Sequence, residues 1–228
     1  MKKPRLPDRV ATSLHAQCHE IFSSIAPSEK CSAGTHLFNQ GSPPEHAYWI
    51  DQGVVKLISM NRSGVELIVA LRPAGSILGA ASVIVQQAYL VTAVTLTECH
   101  LIRVPAQQFL DSARTDPRSS WLLNQVQSRE LNDQVTHIVG LGSLTARGRL
   151  VQFLLRYGPS VEPTHTGKPV RINLPLTQIE LAQLLGITPE HLSRLFSRME
   201  REGLIQRRKG WIVISDVERL ADRDNFER

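Results

Sequence analysis

Apolar residues follow two different spacings along this chain, and the change of spacing divides the chain into regions. Between residues 12 and 25, apolar side chains recur every three or four positions, which predicts a helix that ends before Pro27. From there to about residue 108, glycines separate short β-rich runs such as VVKLISM and VELIVAL, and NRSG at 61–64 predicts a hairpin turn between those two. Turn residues at such short intervals predict an antiparallel β-barrel or β-sandwich.

A long stretch without internal proline or glycine follows, from Arg118 to Val139, and predicts a single long helix. One seam with 3-4 heptad spacing consists of Trp121, Asn124, Ser128, Leu131, Val135 and Ile138. Leu122 and Val126 face elsewhere, so two packing partners are expected, the β domain and a second copy of the helix. A single wide core stripe is the alternative. With two partners, the apolar residues expected at a dimer interface are Trp121, Leu131, Val135 and Ile138.

The helical pattern is interrupted next by Gly140, Gly142 and Gly148, which are interpreted as hinge positions. RGRLVQFLLRYG then predicts a second helix, and PSVEPTHTGKP predicts a turn-rich loop.

Two short helices separated by a tight turn are predicted within LTQIELAQLLGITPEHLSRLFSRMEREGLI. Thr177 and Glu180 have the spacing of a capping box at the first helix, and Gly186 supplies the positive φ that a sharp turn needs. Thr188 is expected to cap the second helix, with Pro189 at its first position, where a missing N–H costs nothing. This order of residues predicts a helix-turn-helix.

The second of these helices is expected to have one apolar and one polar face. Its polar face presents Glu190, Ser193 and Arg194 near the N-terminal end, where a recognition helix meets base edges. An arginine can bond O6 and N7 of guanine together, a carboxylate can accept from N4 of cytosine, and a serine hydroxyl can serve several bases. These three residues are therefore the candidates for contact with DNA bases.

A β-hairpin, or wing, is predicted in LIQRRKGWIVI, and its loop is basic. Six Lys/Arg and three Glu lie between Thr188 and Ile212, and such a wing can follow the phosphate backbone. A solvated amphipathic helix with ion pairs four residues apart is the alternative. The side chains expected at the DNA backbone are Thr177, Thr188, His191, Ser197, Arg198, Arg207, Arg208 and Lys209.

Composition narrows the class of protein further. The 228 residues carry a net charge of +5 and a pI near 9.4, which permits an acidic partner such as nucleic acid. Three scattered cysteines do not make a disulfide framework, and neither a secretory signal nor a long apolar run is present, so we expect a cytoplasmic protein. The absence of a Gly-rich phosphate loop, a nucleophile elbow and paired carboxylates argues against an enzyme.

A glycine-punctuated β-roll, a long helix and a winged helix-turn-helix in this order resemble the Crp/Fnr family of bacterial transcription regulators. DQGVVKLISMNRSGVELIVALRPAGSILG and the helix-turn-helix stretch carry most of the resemblance. It implies an α+β fold with an N-terminal antiparallel, jelly-roll-like β-roll, and a homodimer that binds double-stranded DNA and RNA polymerase. The expected parts are an N-terminal helical segment (1–26), a β-roll sensor domain (27–115), a dimerisation helix (116–142) and a winged helix-turn-helix domain (143–228).

The recognition helix is similar to that of the family's Fnr branch, which carries a Glu-x-x-Ser-Arg signature. Here the signature is Glu190, Ser193 and Arg194, and it implies half-sites similar to TTGAT in an inverted repeat. The cyclic-AMP receptor branch has an arginine where Pro189 stands and a glycine where Ser193 stands.

The usual cyclic-nucleotide site of the family is not matched. In ILGAASVIVQQAYLVTAV, Gly79 is kept, Ala80 replaces the ribose-binding glutamate, and Tyr89 or Leu90 replaces the phosphate-binding arginine. A buried phosphate without its arginine is costly. The contacts that the family makes from its long helix align with Gln134 and Val135. The resemblance therefore outlines an effector pocket of altered chemistry, whose candidate lining residues are Leu78, Gly79, Ala80, Tyr89 and Gln134.

The sequence leaves several other classes of effector as alternatives. The iron–sulfur cluster of Fnr proteins needs four cysteines, and this chain has three, Cys18, Cys31 and Cys99. HAQCH at 15–19 and the pair Cys99–His100 are candidates for ligation of haem or a metal, although a packed cysteine and surface histidines are the simpler interpretation. A cysteine redox switch, an apolar ligand or no ligand are further alternatives. No cofactor is assigned. The alternative function is a haem, redox or small-ligand sensor whose helix-turn-helix mainly contacts proteins.

Overall fold

The structure, a computed structural model, describes residues 9–61, 64–157, 169–173, 175–208 and 210–224, without the side chains of residues 9–13 and 222–224. Packing divides the chain into two units. One is Arg9–Gln134, and the other contains Val135–Arg228.

The first unit begins with helix α1 (Arg9–Ile25) and continues as a β-roll. Its strands are β1 (Ser28–Cys31), β2 (His36–Phe38), β3 (His46–Gln52), β4 (Val54–Met60), β5 (Glu66–Pro73), β6 (Ile77–Leu78), β7 (Thr92–Thr95) and β8 (Cys99–Pro105). They form two antiparallel four-stranded sheets, in the orders β1-β8-β3-β6 and β2-β7-β4-β5. The predicted hairpin between β4 and β5 is confirmed, with its ladder closing at Met60 and Glu66. Residues 62 and 63 of that turn lie outside the described residues.

This unit has two apolar layers, one on each face of the β1-β8-β3-β6 sheet, because successive side chains of a strand point to opposite faces. Tyr48 and Ile50 of β3 face the space between the two sheets, where they pack with residues such as Phe38. Ala47 and Trp49 of the same strand face the other way, into a cluster that the helices complete. That second cluster includes the side chains Cys18, Phe22, Ile102, Val104, Phe109, Leu122 and Val126.

Three more helices belong wholly or partly to this region: α2 (Ala80–Val85), α3 (Ala106–Thr115) and α4 (Pro117–Ser143). The sequence reasoning missed α2 and α3. It assigned the residues of α2 to a pocket wall and extended the β domain to residue 108. Both helices are short and follow directly on strands. Their few turns do not give an apolar spacing that can be told apart from that of the preceding strands.

The interpretation of Gly140 and Gly142 as hinges was wrong, since α4 runs through both to Ser143. Gly148 likewise lies inside helix α5 (Ala146–Tyr157). Glycine weakens a helix by roughly 1 kcal/mol and does not forbid it. At Gly140 an added Cβ would lie 3.0 Å from Oε1 of Gln152. Because that atom is the far end of a flexible side chain, a small shift of Gln152 would make room for a Cβ at this position.

The second unit folds around a three-stranded sheet. After α5 come β9 (Val170–Asn173), α6 (Gln178–Leu185), α7 (Pro189–Arg201), β10 (Ile205–Arg208), β11 (Trp211–Ile214) and α8 (Val217–Asp224). The sheet order is β10-β11-β9, antiparallel throughout. The predicted wing is thus confirmed, with β9 as an unpredicted third strand. The turn-rich loop predicted at 159–169 lies outside the described residues apart from Pro169.

The apolar faces of α5, α6, α7 and the sheet form the core of this unit. Its most buried side chains include Leu150, Leu154, Ile172, Leu192, Met199, Leu204, Ile205 and Ile214. The predicted α+β fold, with a β-roll, a long helix and a winged helix-turn-helix in that order, is confirmed.

Candidate nucleic-acid interface

Two helix caps and one glycine define the ends of α6 and the start of α7. The capping box is present at α6: Oγ1 of Thr177 accepts from the Glu180 N–H at 3.2 Å, and the Glu180 carboxylate accepts from the Thr177 N–H at 2.8 Å. Gly186 ends α6 with φ +62°, a conformation that side chains rarely adopt. Oγ1 of Thr188 then accepts from the His191 N–H at 3.2 Å, and Pro189 opens α7. All three predicted signals are confirmed.

Helix α7 buries one face and exposes the other, as its sequence predicts. Leu192, Phe196 and Met199 are buried against the core of the second unit, and Leu195 is half-buried. On the opposite side, Glu190 and Arg194 are exposed and Ser193 is half-buried. Residues three and four apart on a helix are neighbours. The structure therefore brings the three candidate base-contacting residues together at the N-terminal end of α7.

Glu190 is held in its charged form. A hydrogen bond from its own backbone N–H lowers the pKa of the carboxyl below its usual value, and the Thr188 hydroxyl and the Arg194 charge lower it further. An ionised carboxylate can only accept hydrogen bonds. Glu190 is therefore suited to the amino group of a base and unsuited to a bare phosphate.

Two carboxylates at the C-terminal end of α7 bind several of the basic residues of the domain. Glu202, at the C-terminal end of α7, accepts from Nη1 and Nη2 of Arg147 at 3.1 and 2.7 Å and from Nε of Arg198 at 3.1 Å. The Arg147 side chain is only 4% exposed. The hydrogen bonds and charge of Arg147, followed by those of Arg198, lower the pKa of Glu202 to about 2.

Arg207, a candidate for DNA-backbone contact, is bound within the domain. Its Nη2 donates to Oε2 of Glu200 at 2.7 Å, its backbone N–H donates to Oε1 of Glu200 at 3.0 Å, and its guanidinium lies 4.9 Å from the centre of the Phe196 ring. These contacts fasten β10 to α7 and lower the pKa of Glu200. The neighbouring Arg208 is exposed.

The other predicted backbone-contacting residues lie around the same surface. Thr177 and Thr188 are exposed at the N-terminal ends of α6 and α7, His191 is half-buried, and Ser197 and Arg198 are exposed. Lys209 lies outside the described residues.

The sequence did not predict Arg171 of β9, whose guanidinium lies 4.3 Å from the centre of the Trp211 ring. Nothing in the linear sequence places β9 beside β11, which is why this pair was not predicted.

The two seams of α4 differ in exposure. Leu122 and Val126 are each 3% exposed, whereas Trp121 is 67%, Leu131 60% and Ile138 66% exposed. Val135 of the same seam is 51% exposed. Large apolar side chains spaced along one helix rarely stay in contact with water when a partner can cover them.

The candidate effector pocket is filled by the chain itself around Tyr89. The Tyr89 ring stacks on Phe38 with 4.0 Å between ring centres, and its hydroxyl donates to the His46 carbonyl oxygen at 2.6 Å and accepts from the His46 N–H at 3.1 Å. Gly79 has φ +73°, and an added Cβ would lie 2.8 Å from the Tyr89 ring. Leu78 and Ala80 are buried, whereas Gln134 is exposed.

The histidines of α1 do not join Cys18. Nε2 of His15 and Nδ1 of His19 lie 3.2 and 2.8 Å from Oδ1 of Asp51, while Cys18 packs in the apolar cluster under the sheet. Burial raises the pKa of the Cys18 thiol to about 11. Among the described residues, no group of three or more His, Cys, Asp and Glu side chains has an arrangement that could hold a metal ion. No helix in those parts of the chain is long and apolar enough to cross a membrane.

Comparison with known proteins agrees with this arrangement. A model of the Crp-like helix-turn-helix domain matches residues 148–223, and a model of the cyclic nucleotide-binding domain matches residues 28–116. The nitrogen fixation regulation protein FixK of Azorhizobium caulinodans is 24% identical over 196 residues, covering 86% of this chain and 78% of that protein.

Two further relatives point the same way. The CRP-like cAMP-activated global transcriptional regulator of Mycobacterium tuberculosis is 26% identical over 190 residues, covering 83% of this chain and 84% of that protein. The solved structure of FixK2 from Bradyrhizobium japonicum has a TM-score of 0.74 at 22% identity, covering 88% of this chain and 98% of that one, and shares its fold. With both domains in the family's order and regulators rather than enzymes as its relatives, this chain is a DNA-binding transcription regulator of the Crp/Fnr family.

Proposed function

We propose that the chain acts as a homodimer that reads an inverted repeat of TTGAT-like half-sites. The observation that carries this proposal is the capped N-terminal end of α7, where Glu190, Ser193 and Arg194 share one outward face. A two-fold dimer presents two such helices, and palindromic sites match that symmetry. The exposed apolar seam of α4 is the surface through which the two copies associate.

Each of the three residues has a distinct role in this proposal. Arg194 bonds O6 and N7 of the half-site guanine, the Glu190 carboxylate accepts from the amino group of a cytosine or adenine, and Ser193 completes the set. Arg208 contacts phosphate, together with the hydroxyls and basic groups that surround α7. Arg207 holds the wing against α7, since its guanidinium already binds Glu200.

Substitution of Arg194 tests the base contacts. Arg194→Ala should weaken binding to the inverted repeat by about 1–3 kcal/mol per half-site, while affinity for scrambled DNA changes much less. Arg114→Ala is the matched control, because Arg114 is an exposed arginine of α3 in the other unit. Titrations of both duplexes at one fixed salt concentration measure the effect. Equal losses on both duplexes would contradict a base-reading role for Arg194.

We also propose that cyclic AMP and cyclic GMP do not control the protein in the usual mode. Ala80 cannot hold a ribose hydroxyl, and the Tyr89 side chain stacks on Phe38 and bonds His46, offering no positive charge to a phosphate. Adding either nucleotide should leave the DNA affinity of the purified protein unchanged. A nucleotide-dependent gain in affinity would overturn this part of the proposal.

A cytoplasmic location and contact with RNA polymerase follow from the proposed function.

A further inference from the structure

Two of the three cysteines face each other across neighbouring strands. In the antiparallel ladder of β1 and β8, Cys31 lies directly opposite Cys99. Residues directly opposite in such a ladder project their side chains to the same face, with Cβ atoms about 4.5–5.5 Å apart. Both cysteines pack on the apolar cluster between the two sheets, and both are free thiols.

The ladder spacing suits a disulfide. Opposed Cα atoms of antiparallel strands are roughly 4.5–5.5 Å apart, and disulfides span Cα distances of about 4.4–6.8 Å. The opposed Cβ atoms must approach to the roughly 3.5–4.5 Å of a disulfide, so bond formation needs side-chain rotation and a movement of the two strand ends towards each other by about 1 Å. Cys99 is also close enough for its charge to act on Cys31, whose pKa it helps to raise.

The third cysteine cannot compete for this bond. Cys18 lies on α1 and packs against the opposite face of the β1-β8-β3-β6 sheet, in the cluster that contains Trp49 and Ile102. The sheet itself separates Cys18 from the pair. Oxidation within one chain thus has one geometrically favoured outcome.

We propose that Cys31 and Cys99 form a reversible cross-strand disulfide when the protein meets hydrogen peroxide. Cys31 reacts first, since its side chain is half-buried whereas Cys99 is buried. The Cys31 sulfur attacks one peroxide oxygen, the O–O bond breaks, and a sulfenic acid and one water form. The Cys99 sulfur then attacks Sγ of Cys31, the S–O bond breaks, and the disulfide and a second water form. Two thiols lose two electrons and two protons, which reduce the peroxide to two waters.

The same surroundings make this reaction slow. Burial raises the pKa of Cys31, and the neighbouring charges of Glu29 and Cys99 raise it further. Burial also raises the pKa of Cys99, against the opposing effect of hydrogen bonds with Thr97 and Val54. Thiolates are the reactive form, so the bond accumulates under sustained oxidation and not within a brief pulse. Once formed, it ties β1, an edge strand of its sheet, to β8.

Peptide mapping of the full-length protein tests the proposal. Reduced protein is treated with hydrogen peroxide, alkylated and digested without reductant. The expected product is one linked peptide pair containing Cys31 and Cys99, with the intact chain lighter by about 2 Da. The bond closes a long loop, so the melting temperature should rise by roughly 5–10 °C and return to its starting value after reduction.

Single substitutions give the controls. Cys18→Ser should retain the linked peptide and the melting shift, whereas Cys31→Ser should lose both. Because Cys31 is half-buried and near the end of an edge strand, Cys31→Ser is expected to fold, which circular dichroism checks. Addition of oxygen to separate cysteines, a bond that includes Cys18, or covalent dimers on a non-reducing gel would each overturn the proposal.

Discussion

At the scale of single residues, the second unit separates charges that hold the domain together from charges that face outward. Arg147 and Arg207 are bound by Glu202 and Glu200 inside the domain, whereas Arg194 and Arg208 are exposed. The sequence alone does not distinguish these arginines, because their partners are fixed by the packing of α5 and β10 against α7. Basic residues that look equivalent in a count of charges therefore differ in their surroundings, and we propose that they differ in their effects on folding and on DNA.

Loss of Glu202 should destabilise the second unit strongly. Glu202→Ala leaves the guanidinium of Arg147, 4% exposed, without its carboxylate, and breaking such a buried pair costs about 3–5 kcal/mol. Glu218→Ala removes an exposed carboxylate of α8 and should cost under about 1 kcal/mol. Denaturant unfolding of the two variants compares the costs. A similar small loss for both would contradict a structural role for the Arg147–Glu202 pair.

The same pair gives the second unit a defined sensitivity to acid. The pKa of Glu202 is lowered to about 2, against about 4.3 for an unfolded glutamate. The folded state therefore gains roughly 3 kcal/mol above pH 5, and this gain is lost as the pH falls from about 5 towards 2. Denaturation midpoints measured between pH 7 and 3 should fall more steeply for the native protein than for Glu202→Ala. Parallel pH profiles would disprove this assignment.

At the scale of elements, the exposed seam of α4 carries the proposed dimer contact. A charge placed in that seam is buried if a second helix covers it, and remains in water if none does. Leu131→Glu should therefore shift the protein towards monomer, raising the dimer dissociation constant at least tenfold. Thr136→Glu adds the same charge to an exposed position off the seam and should leave the dimer intact. Sedimentation at several protein concentrations distinguishes the two.

A monomeric native protein, or equal behaviour of the two variants, would contradict this assignment of the seam. Leu131→Glu should also weaken binding to the inverted repeat more than binding to an isolated half-site, because only the full repeat binds two copies of the chain. Comparing the two duplexes therefore separates loss of dimerisation from loss of folding.

Elements with strong local signals could be predicted, and those defined by distant partners could not. Caps and turns around Thr177, Gly186 and Thr188 are local, so both ends of α6 and the start of α7 were predicted. The third strand, β9, exists because it pairs with β11, and no local pattern in four residues reveals that partner. Gly140 shows the opposite error, since α4 continues through a residue type that weakens a helix but does not forbid it. Arg171 was missed for the reason that β9 was missed.

At the scale of the whole molecule, a basic chain with a net charge of +5 associates with DNA partly by releasing counterions. This contribution depends on phosphate contacts and not on sequence. The logarithm of affinity should fall linearly with the logarithm of salt concentration for both the inverted repeat and random DNA. A protein that used its helix-turn-helix for protein contacts would show no such dependence.

Arg208→Ala should reduce the salt slope by about 0.9 for each phosphate that the side chain neutralises in the native complex, and should weaken specific and random DNA alike. Arg114→Ala provides the comparison, because Arg114 is an exposed arginine of α3 in the other unit. Fluorescence anisotropy at four or more salt concentrations gives both slopes. An unchanged slope for Arg208→Ala would remove this residue from the phosphate-contacting set.

The Tyr89 side chain, which occupies the interior of the β-roll, has a consequence for engineering. Truncation to glycine would leave a cavity with the shape of the removed phenol ring. Phe38 would line it, together with the backbone N–H and carbonyl of His46, which would lose their bonds to the Tyr89 hydroxyl. Cavities created in well-packed cores can bind molecules that match the group removed. Phenol has the shape and the hydroxyl of the missing side chain, so a Tyr89→Gly protein should regain stability in its presence. Replacing the Tyr89 side chain by an added phenol would in this way make the stability of the regulator depend on a small molecule.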